Sequence, residues 1–271
     1  MDISISNIAW EKSQEDEVIN LLKRYNINYI DIAPNKLFHD IHNISLSQIE
    51  SEKRKWEEKG FSILALQSLF YNTNGLNLFG GKSSQRKMLE YLENLCIIAD
   101  NLDARRLVFG SPRNRDKGNL SKFESDCIAL PFFSKAGEIA KQSNVILCIE
   151  ANPIYYNCNY LTTTKEVIDL VEELNHPNIK VNLDTGCILS NKENIYTLFN
   201  NNIDLVGYIH ISEPHLVPVG SSSLDHSHFS NFIRKGFSDP LLSIEMLNNN
   251  IDNPLRAIED AIKFVFKQYK N

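Results

Sequence analysis

The chain has no long apolar run and few cysteines, and each absence excludes a class of protein. Its longest apolar runs, such as VILCI at 145–149, are far shorter than the roughly 20 residues of a membrane-spanning helix. No basic segment followed by an apolar stretch stands at the N-terminus, as a secretory signal would require. Five cysteines, without the spacing of a small disulfide-bonded domain, indicate free thiols in a reducing compartment. We therefore expect a cytoplasmic protein with no membrane partner.

An excess of basic residues is also missing, since 28 lysines and arginines stand against 34 aspartates and glutamates. The net charge of −6 gives no reason to expect a nucleic-acid partner, because the phosphate backbone attracts basic surfaces. Hydrophobic residues make up 42% of the chain and charged residues 23%, a globular balance that permits a sizeable core.

The sequence contains no linker, low-complexity tract or internal repeat, so residues 1–271 are expected to form a single domain. Short β-branched runs alternate eight times with amphipathic segments, and most runs are continuously apolar, as in parallel strands covered on both faces. The predicted strands are residues 3–8, 29–32, 63–67, 106–109, 145–149, 180–183, 206–211 and 241–244. An open doubly wound sheet would normally carry a Gly-rich loop after its first strand, but 7–11 reads NIAWE. We predict a single (β/α)₈ TIM barrel, which needs roughly 250 residues.

Helices and long loops support this prediction. Apolar residues recur at helical spacing in 86–100, 164–174 and 254–266, and Ser13 is the predicted N-cap of the first helix. Two long loops, 70–85 and 213–227, follow the third and seventh strands. Both therefore lie at the C-terminal face, where barrel enzymes build their active sites.

Four polar residues occupy equivalent places in the last four predicted strands. Glu150, Asp184 and Glu245 each end an apolar strand, and His210 lies inside the seventh. Singly, each acid is more simply a helix N-cap or a loop residue, Asp184 in particular, and His210 a core histidine. Together, three carboxylates in one pocket repel one another unless a proton or a cation intervenes. We predict one divalent ion, Mn²⁺ or Mg²⁺, with Co²⁺ or Zn²⁺ as alternatives.

The segments around these residues resemble the xylose isomerase-like barrel superfamily. They read CIEAN at 148–152, NLDTG at 182–186, HISE at 210–213 and SIEM at 243–246. That superfamily holds sugar and sugar-phosphate isomerases and epimerases, inosose dehydratases and endonuclease IV. The resemblance implies that Glu150, Asp184, His210 and Glu245 bind the metal. It also implies that Glu150 and Glu245 are the catalytic pair that transfers protons.

Two positions depart from the ketose 3-epimerases of that superfamily. Many relatives have a substrate-binding histidine three residues after the sixth-strand aspartate, where this chain has Cys187. The epimerases also carry an arginine shortly after the seventh-strand histidine, whereas 214–217 reads PHLV. The terminal hydroxyl of a substrate must therefore be held differently, and the assignment to ketose 3-epimerases alone is too narrow.

Further residues near the strand ends are expected to bind the substrate. Gln67 and Asn152 offer amides for hydroxyl groups, and Arg113 and Arg115 could grip a phosphate or carboxylate, unless they belong to a solvated basic loop. Trp10, with Phe70, Tyr155 and Tyr156, could form an aromatic wall or merely pack loops. The other expected substrate-binding residues are Cys187, Glu213 and His226. The stretch 225–228, DHSH, could hold a second metal, although a helix N-cap at Asp225 is the simpler interpretation.

These observations predict a metal-dependent isomerase or epimerase that acts on a small carbohydrate or hydroxy-keto compound through an enediolate. Within enzymes, the alternatives are an inosose-dehydratase-like lyase and an endonuclease IV-like phosphodiesterase, which would need more histidines and a basic face. A barrel that binds a sugar without turnover is the alternative from another class. The sequence does not identify the substrate or say whether it is phosphorylated. The protein could also be a homo-oligomer.

Overall fold

Eight parallel strands close into a barrel in the computed structural model, which describes residues 1–248 and 251–270. The strands follow one another around the barrel in chain order, and β8 pairs with β1. They are β1 (Asp2–Ser6), β2 (Tyr29–Ile32), β3 (Ser62–Leu66), β4 (Arg106–Phe109), β5 (Ile146–Glu150), β6 (Ile179–Asp184), β7 (Val206–Ile211) and β8 (Leu241–Ile244). This confirms the predicted single (β/α)₈ barrel.

The strand ends differ from the predicted ends in ways that matter for the site. β1 stops at Ser6, two residues early, because a 3₁₀ turn begins at Asn7 and the Ser6 hydroxyl accepts a hydrogen bond from the Ile8 amide. β5 and β6 each extend by one residue at their C-terminal end. Glu150 and Asp184 are therefore the last residues of their strands rather than the first residues of loops.

Helices cover the outside of the barrel and separate the strands. They are α1 (Glu15–Arg24), α2 (Pro34–Leu37), α3 (Leu46–Glu58), α4 (Lys82–Asn101), α5 (Lys122–Gln142), α6 (Thr164–Leu174), α7 (Thr185–Ser190), α8 (Ile195–Leu198), α9 (Ser227–Gly236) and α10 (Pro254–Val265). The predicted helix 164–174 is confirmed, with a capping box between Thr163 and Glu166. Ser13 is not an N-cap, because it lies inside the 3₁₀ turn Lys12–Gln14 that precedes α1.

The barrel interior contains a buried polar layer beneath its C-terminal mouth. The Asp31 carboxylate on β2 accepts hydrogen bonds from the Ser4 hydroxyl at 2.9 Å and from the Tyr208 hydroxyl at 2.8 Å. Burial raises the pKa of Asp31, and charge and hydrogen bonds from its neighbours oppose that rise. Tyr208 lies two residues before His210 on β7, and the two rings are in edge contact at 5.6 Å. This layer therefore supports the strands directly below the barrel mouth.

No helix within the described residues has the length and apolar character needed to cross a membrane.

Candidate active site

The four predicted ligands meet at the C-terminal mouth of the barrel. Each offers one ligand atom, and these atoms all lie within 4.8 Å of one another. Neighbouring strands align the set, since Asp184 on β6 is the register partner of His210 on β7, and Glu245 directly follows β8. His210 is fully buried, and each of the three acidic residues is 8% exposed. It is the one such group of three or more potential ligands within residues 1–248 and 251–270.

Glu150 is held by amides on both sides. The Asn182 side-chain amide donates to Oε1 at 2.6 Å, and the Asn152 amide donates to Oε2 at 3.2 Å. The same Oε1 lies 3.1 Å from Nδ1 of His210. Burial raises the pKa of Glu150, but the hydrogen bond and positive charge of His210 outweigh it and leave the pKa lowered.

Asp184 serves two purposes at the end of β6. Its Oδ1 caps α7 by accepting a hydrogen bond from the Cys187 amide at 2.5 Å, as its place before a helix suggested. Its Oδ2 accepts from the Ser212 hydroxyl at 2.6 Å. Burial and the nearby charges of Glu150 and Glu245 raise the pKa of Asp184 to about 7.

Glu245 and His210 complete the cluster. Oε2 of Glu245 lies 3.1 Å from Nδ1 of His210, so two carboxylates converge on one ring nitrogen. Burial lowers the pKa of His210, but Glu245 and Glu150 raise it well above the ordinary value. Burial raises the pKa of Glu245, and the His210 charge offsets part of that rise.

This donor set fits a divalent cation. Three buried carboxylates lie beside a single histidine, whose positive charge can balance only one of them. The remaining negative charge is costly to bury. One ligand atom from each of the four side chains lies within 4.8 Å of the other three, a spacing that one ion could bridge. Three oxygens and one nitrogen, with room for water or substrate, suit a hard or borderline ion.

A cavity of about 180 Å³ opens above the cluster. Four of the residues that were expected to bind the substrate lie in its wall: Gln67, Asn152, Cys187 and Glu213. Gln67 donates to the Ser6 hydroxyl, and its buried Oε1 has no hydrogen-bond partner. Burial raises the pKa of the Cys187 thiol, so this side chain is a neutral, weakly polar contact at neutral pH.

The carboxylate of Glu213 is engaged by neighbouring groups of its own loop. The carboxylate accepts hydrogen bonds from the Gly220 amide at 2.7 Å and from the amide and hydroxyl of Ser222. It also lies 3.5 Å from Nε2 of the fully buried His226, whose Nδ1 contacts the Tyr269 hydroxyl at 2.7 Å. The pair thus ties the loop after β7 to the C-terminal segment, and His226 lies outside the cavity wall.

Three more expected substrate-binding residues do not line the cavity. Arg115 is fully buried, and its guanidinium donates to the carbonyl oxygen of Glu150 at 2.7 Å, so it supports the end of β5 instead of presenting itself to an anion. Arg113 is exposed on the same short turn, outside the cavity wall. Trp10 is 3% exposed and packs toward Lys36, whose ammonium donates to the Trp10 carbonyl oxygen at 2.5 Å.

The stretch 225–228 lies at the start of α9. Oδ1 of Asp225 accepts a hydrogen bond from the Ser227 amide at 2.8 Å, at the start of α9. Asp225 therefore lies one residue before His226, which is the N-cap position of α9, so the predicted N-cap at Asp225 is wrong by one residue. His226 points toward Tyr269 and Glu213, so the stretch does not gather a second group of metal ligands.

Three residues of the site were not identified from the sequence. Asn182 and Ser212 each lie two residues from a ligand, Asp184 and His210 respectively, so the two-residue strand period could have placed them on the same face. Gly110 carries no such signal. A Cβ at that position would lie 2.6 Å from Oε2 of Glu150, so only glycine allows this carboxylate its place.

A closed parallel barrel with a buried carboxylate–histidine cluster at its C-terminal mouth defines a class of α/β-barrel proteins. A family described as the xylose isomerase-like TIM barrel matches residues 19–268. The chain belongs to this family.

Individual relatives agree with that membership. A ketose 3-epimerase of Arthrobacter globiformis is 28% identical over 88 residues, which span 32% of this chain and 30% of that relative. The match therefore covers about a third of the relative's length. Among solved structures, D-psicose 3-epimerase with D-tagatose from Clostridium cellulolyticum H10 superposes with a TM-score of 0.79 at 18% identity, over 99% of both chains. An IOLI protein with a bound zinc atom superposes with a TM-score of 0.74 at 15% identity, over 100% of both chains. These two structures share the fold.

Proposed function

We propose that this protein is a divalent-metal-dependent isomerase or epimerase of a small sugar or related hydroxy-keto compound. The observation that carries the proposal is the placement of two glutamates, Glu150 and Glu245, on either side of His210 at the floor of one cavity. A pure sugar-binding site has no need for two buried carboxylates that can each exchange a proton.

The chemistry requires removal of a proton from a carbon next to a carbonyl group, which is weakly acidic. A divalent ion held by the four clustered residues would supply Lewis-acid stabilisation of negative charge on the substrate oxygens. Glu150 ends β5 and Glu245 directly follows β8, and these strands are not neighbours in the barrel, so the two carboxylates would approach a bound substrate from different directions. One would remove the proton, and the other would return one to the opposite face.

The surrounding amides have matching roles in this proposal. The Asn152 and Asn182 amides hold Glu150 in one orientation, which keeps its oxygens aimed at the cavity. Oε1 of Gln67 is buried at the cavity wall without a partner and would accept a hydrogen bond from a substrate hydroxyl. The proposed function is supported further by the ketose 3-epimerase relative and by the sugar epimerases among the similar structures.

The ion is proposed to be Mn²⁺ or Mg²⁺, because the donor set is rich in oxygen. The zinc atom bound by the similar IOLI protein keeps Zn²⁺ as an alternative, together with Co²⁺. Protein purified without chelator should contain about one divalent ion per chain, as measured by elemental analysis.

Proton exchange tests the proposal directly. The metal-loaded protein is incubated with a panel of ketoses in D₂O, and incorporation of deuterium next to the carbonyl is followed by NMR. We expect turnover by the native protein and a loss of about 10²–10⁴-fold in Glu150→Gln and Glu245→Gln. The variant that lacks the proton-abstracting glutamate should also stop exchange, whereas the other should still exchange without forming the epimer. If both variants keep their metal and turn over at the native rate, the proposed chemistry is wrong.

A further inference from the structure

The cavity above the cluster has two chemically different sides. One side comes from the ends of β3, β4 and β5 and is polar: it presents Gln67, Ser68, Ser111 and Asn152. The hydroxyl of Ser111 and Oε1 of Gln67 are buried without hydrogen-bond partners, so this side is ready to receive hydroxyl groups.

The other side comes from the loops after β5, β6 and β7 and is weakly polar or apolar. It presents Tyr155, Tyr156, the buried Cys187 and Leu216. Ser212 and Glu213 also line this side, but their polar groups are already engaged, by Asp184 and Ser222 respectively.

Contacts among these loops hold the apolar side in place. The Tyr155 ring lies 4.4 Å from the Tyr156 ring and 4.2 Å from the His215 ring, and its hydroxyl contacts the Ser190 hydroxyl at 2.8 Å. Leu216 has a φ of +53°, a conformation that side-chain-bearing residues rarely adopt. Its carbonyl oxygen accepts a hydrogen bond from the Leu247 amide at 2.8 Å. The loop is therefore held in a strained conformation that turns a leucine toward the cavity.

Within the part of the chain that the structure describes, the cavity wall offers no basic side chain to an anion. Among the described residues that line it, four are acids and none is lysine, arginine or histidine. The fully buried Arg115 is already engaged, because it donates to the carbonyl oxygen of Glu150. A phosphate group held at the cavity wall, away from the metal cluster, would be desolvated without a basic side chain beside it, which is costly.

We propose that the substrate is an uncharged ketose whose end remote from the reacting carbons carries a methyl group, as in a deoxyketose. This inference rests on the proposed function and adds the substrate class. The polar side would hold the hydroxyl groups next to the reacting carbons, and the apolar side would pack on the methyl end. A terminal hydroxyl there would be buried without a partner.

The size of the expected preference follows from the apolar character of the wall. A hydrophobic pocket rejects a ligand that adds one hydroxyl by about 10²-fold at most. We therefore expect kcat/KM for the deoxyketose to exceed that for the parent ketose by about 10- to 100-fold. For a phosphate ester we expect kcat/KM to be lower than for the parent ketose, because the wall provides no counter-charge for it.

The test compares matched substrates on the metal-loaded protein. Each set consists of a 6-deoxyketohexose, its parent ketohexose and the 6-phosphate of the parent, in both enantiomers and in each configuration at carbons 3 and 4. Deuterium incorporation and epimer formation are both recorded. A preference for the deoxy compound supports the inference, and a preference for the parent or the phosphate overturns it while leaving the proposed function intact. Absence of exchange with every compound removes the proposed function and the inference together.

A charge placed on the apolar side sharpens the test. In Leu216→Arg, the ratio of deoxy to phosphorylated turnover should fall by at least about tenfold, since the guanidinium supplies the missing partner. Ser221→Arg adds the same charge at an exposed position of the same loop, outside the cavity wall, and should leave the ratio unchanged. Ratios within one variant cancel any partial loss of folded protein. An unaltered ratio in Leu216→Arg, with the metal still bound, would contradict the placement of the substrate.

Discussion

Buried acidic residues lie at two levels of the barrel interior, and their surroundings differ. In the lower layer, the single carboxylate of Asp31 is surrounded by hydroxyl donors from Ser4 and Tyr208. In the upper layer, three carboxylates crowd around one histidine, and burial together with their mutual repulsion raises the pKa of Asp184 to about 7. A satisfied buried acid stabilises a structure, whereas crowded acids indicate a site that needs something else. We infer that the lower layer supports the fold and the upper layer performs the chemistry.

The largest expected contrast is in metal binding. Asp184→Asn should weaken metal affinity by more than about 100-fold, because it removes a charged ligand and not merely a supporting hydrogen bond. Asp31→Asn, the same substitution one layer lower, should retain about one ion per chain. Isothermal titration calorimetry on chelator-treated protein measures both. Equal affinity in the two variants would show that the upper layer is not a metal site.

The second contrast is in how the stability of the metal-free, chelator-treated protein depends on pH. The pKa of Asp184 rises from its ordinary value of 3.8 to about 7 in the folded chain, so the folded state holds a proton that the unfolded state releases. The proton on Asp184 stabilises the folded state fully when the pH is below the pKa that Asp184 has in the unfolded chain. This stabilisation is lost as the pH rises through the pKa that Asp184 has in the folded chain. The free energy of unfolding should therefore decrease between about pH 4 and pH 7, as measured by urea denaturation.

Saturating metal should reverse that trend above neutral pH, since the ion replaces the proton and stabilises the folded state by mass action. Asp184→Asn should show a smaller decrease because its amide does not titrate. A metal-free native protein whose stability rises steadily across this range would contradict the crowding of the upper layer.

A third contrast concerns the backbone around the upper layer. Gly110→Ala would bring a Cβ to 2.6 Å from Oε2 of Glu150 and force that carboxylate to move. We expect metal affinity to fall by about 10- to 100-fold, as for other changes that disturb ligand orientation. Gly118→Ala is the matched control, because nothing lies within 4 Å of its Cβ and the change strains only the backbone, with φ at +55°. Native affinity in Gly110→Ala would mean that Glu150 is not a ligand.

The smallest effect is expected in the lower layer itself. Asp31→Ala leaves the hydroxyls of Ser4 and Tyr208 buried without their acceptor and should cost about 1–3 kcal/mol of unfolding free energy. Asp31→Asn retains an acceptor oxygen and should cost less. Thermal and chemical denaturation measure the loss of stability in both variants. If either variant loses proton exchange with the substrate while keeping its unfolding free energy, the lower layer belongs to the chemistry and not to the support of the fold.

The strands and the residues at the barrel mouth could be predicted because a parallel barrel imposes a simple pattern on its sequence. Continuous apolar runs reveal the eight strands, and a polar residue at the end of a buried strand must face the mouth. Glu150, Asp184, His210 and Glu245 could be grouped on that basis alone, and the structure brings them together. Their binding of a metal stays a prediction.

Residues on loops could not be placed in the same way. Arg115, Trp10 and His226 each follow a strand end, yet their side chains turn into packing that depends on distant segments: Arg115 reaches the Glu150 carbonyl, and His226 reaches Tyr269. Leu216 lines the cavity, and its backbone has a positive φ that the local sequence does not predict.

The amino-acid sequence by itself therefore determined the barrel, the order of its strands and the four polar residues at its mouth. Strand periodicity and strand ends are local properties, and each could be recognised from a few neighbouring residues. Tertiary structure alone decided which loop side chains face the cavity, how Asn182 and Asn152 hold Glu150, and why one wall is apolar. Those features depend on contacts between loops far apart in the chain, which form only when the barrel closes.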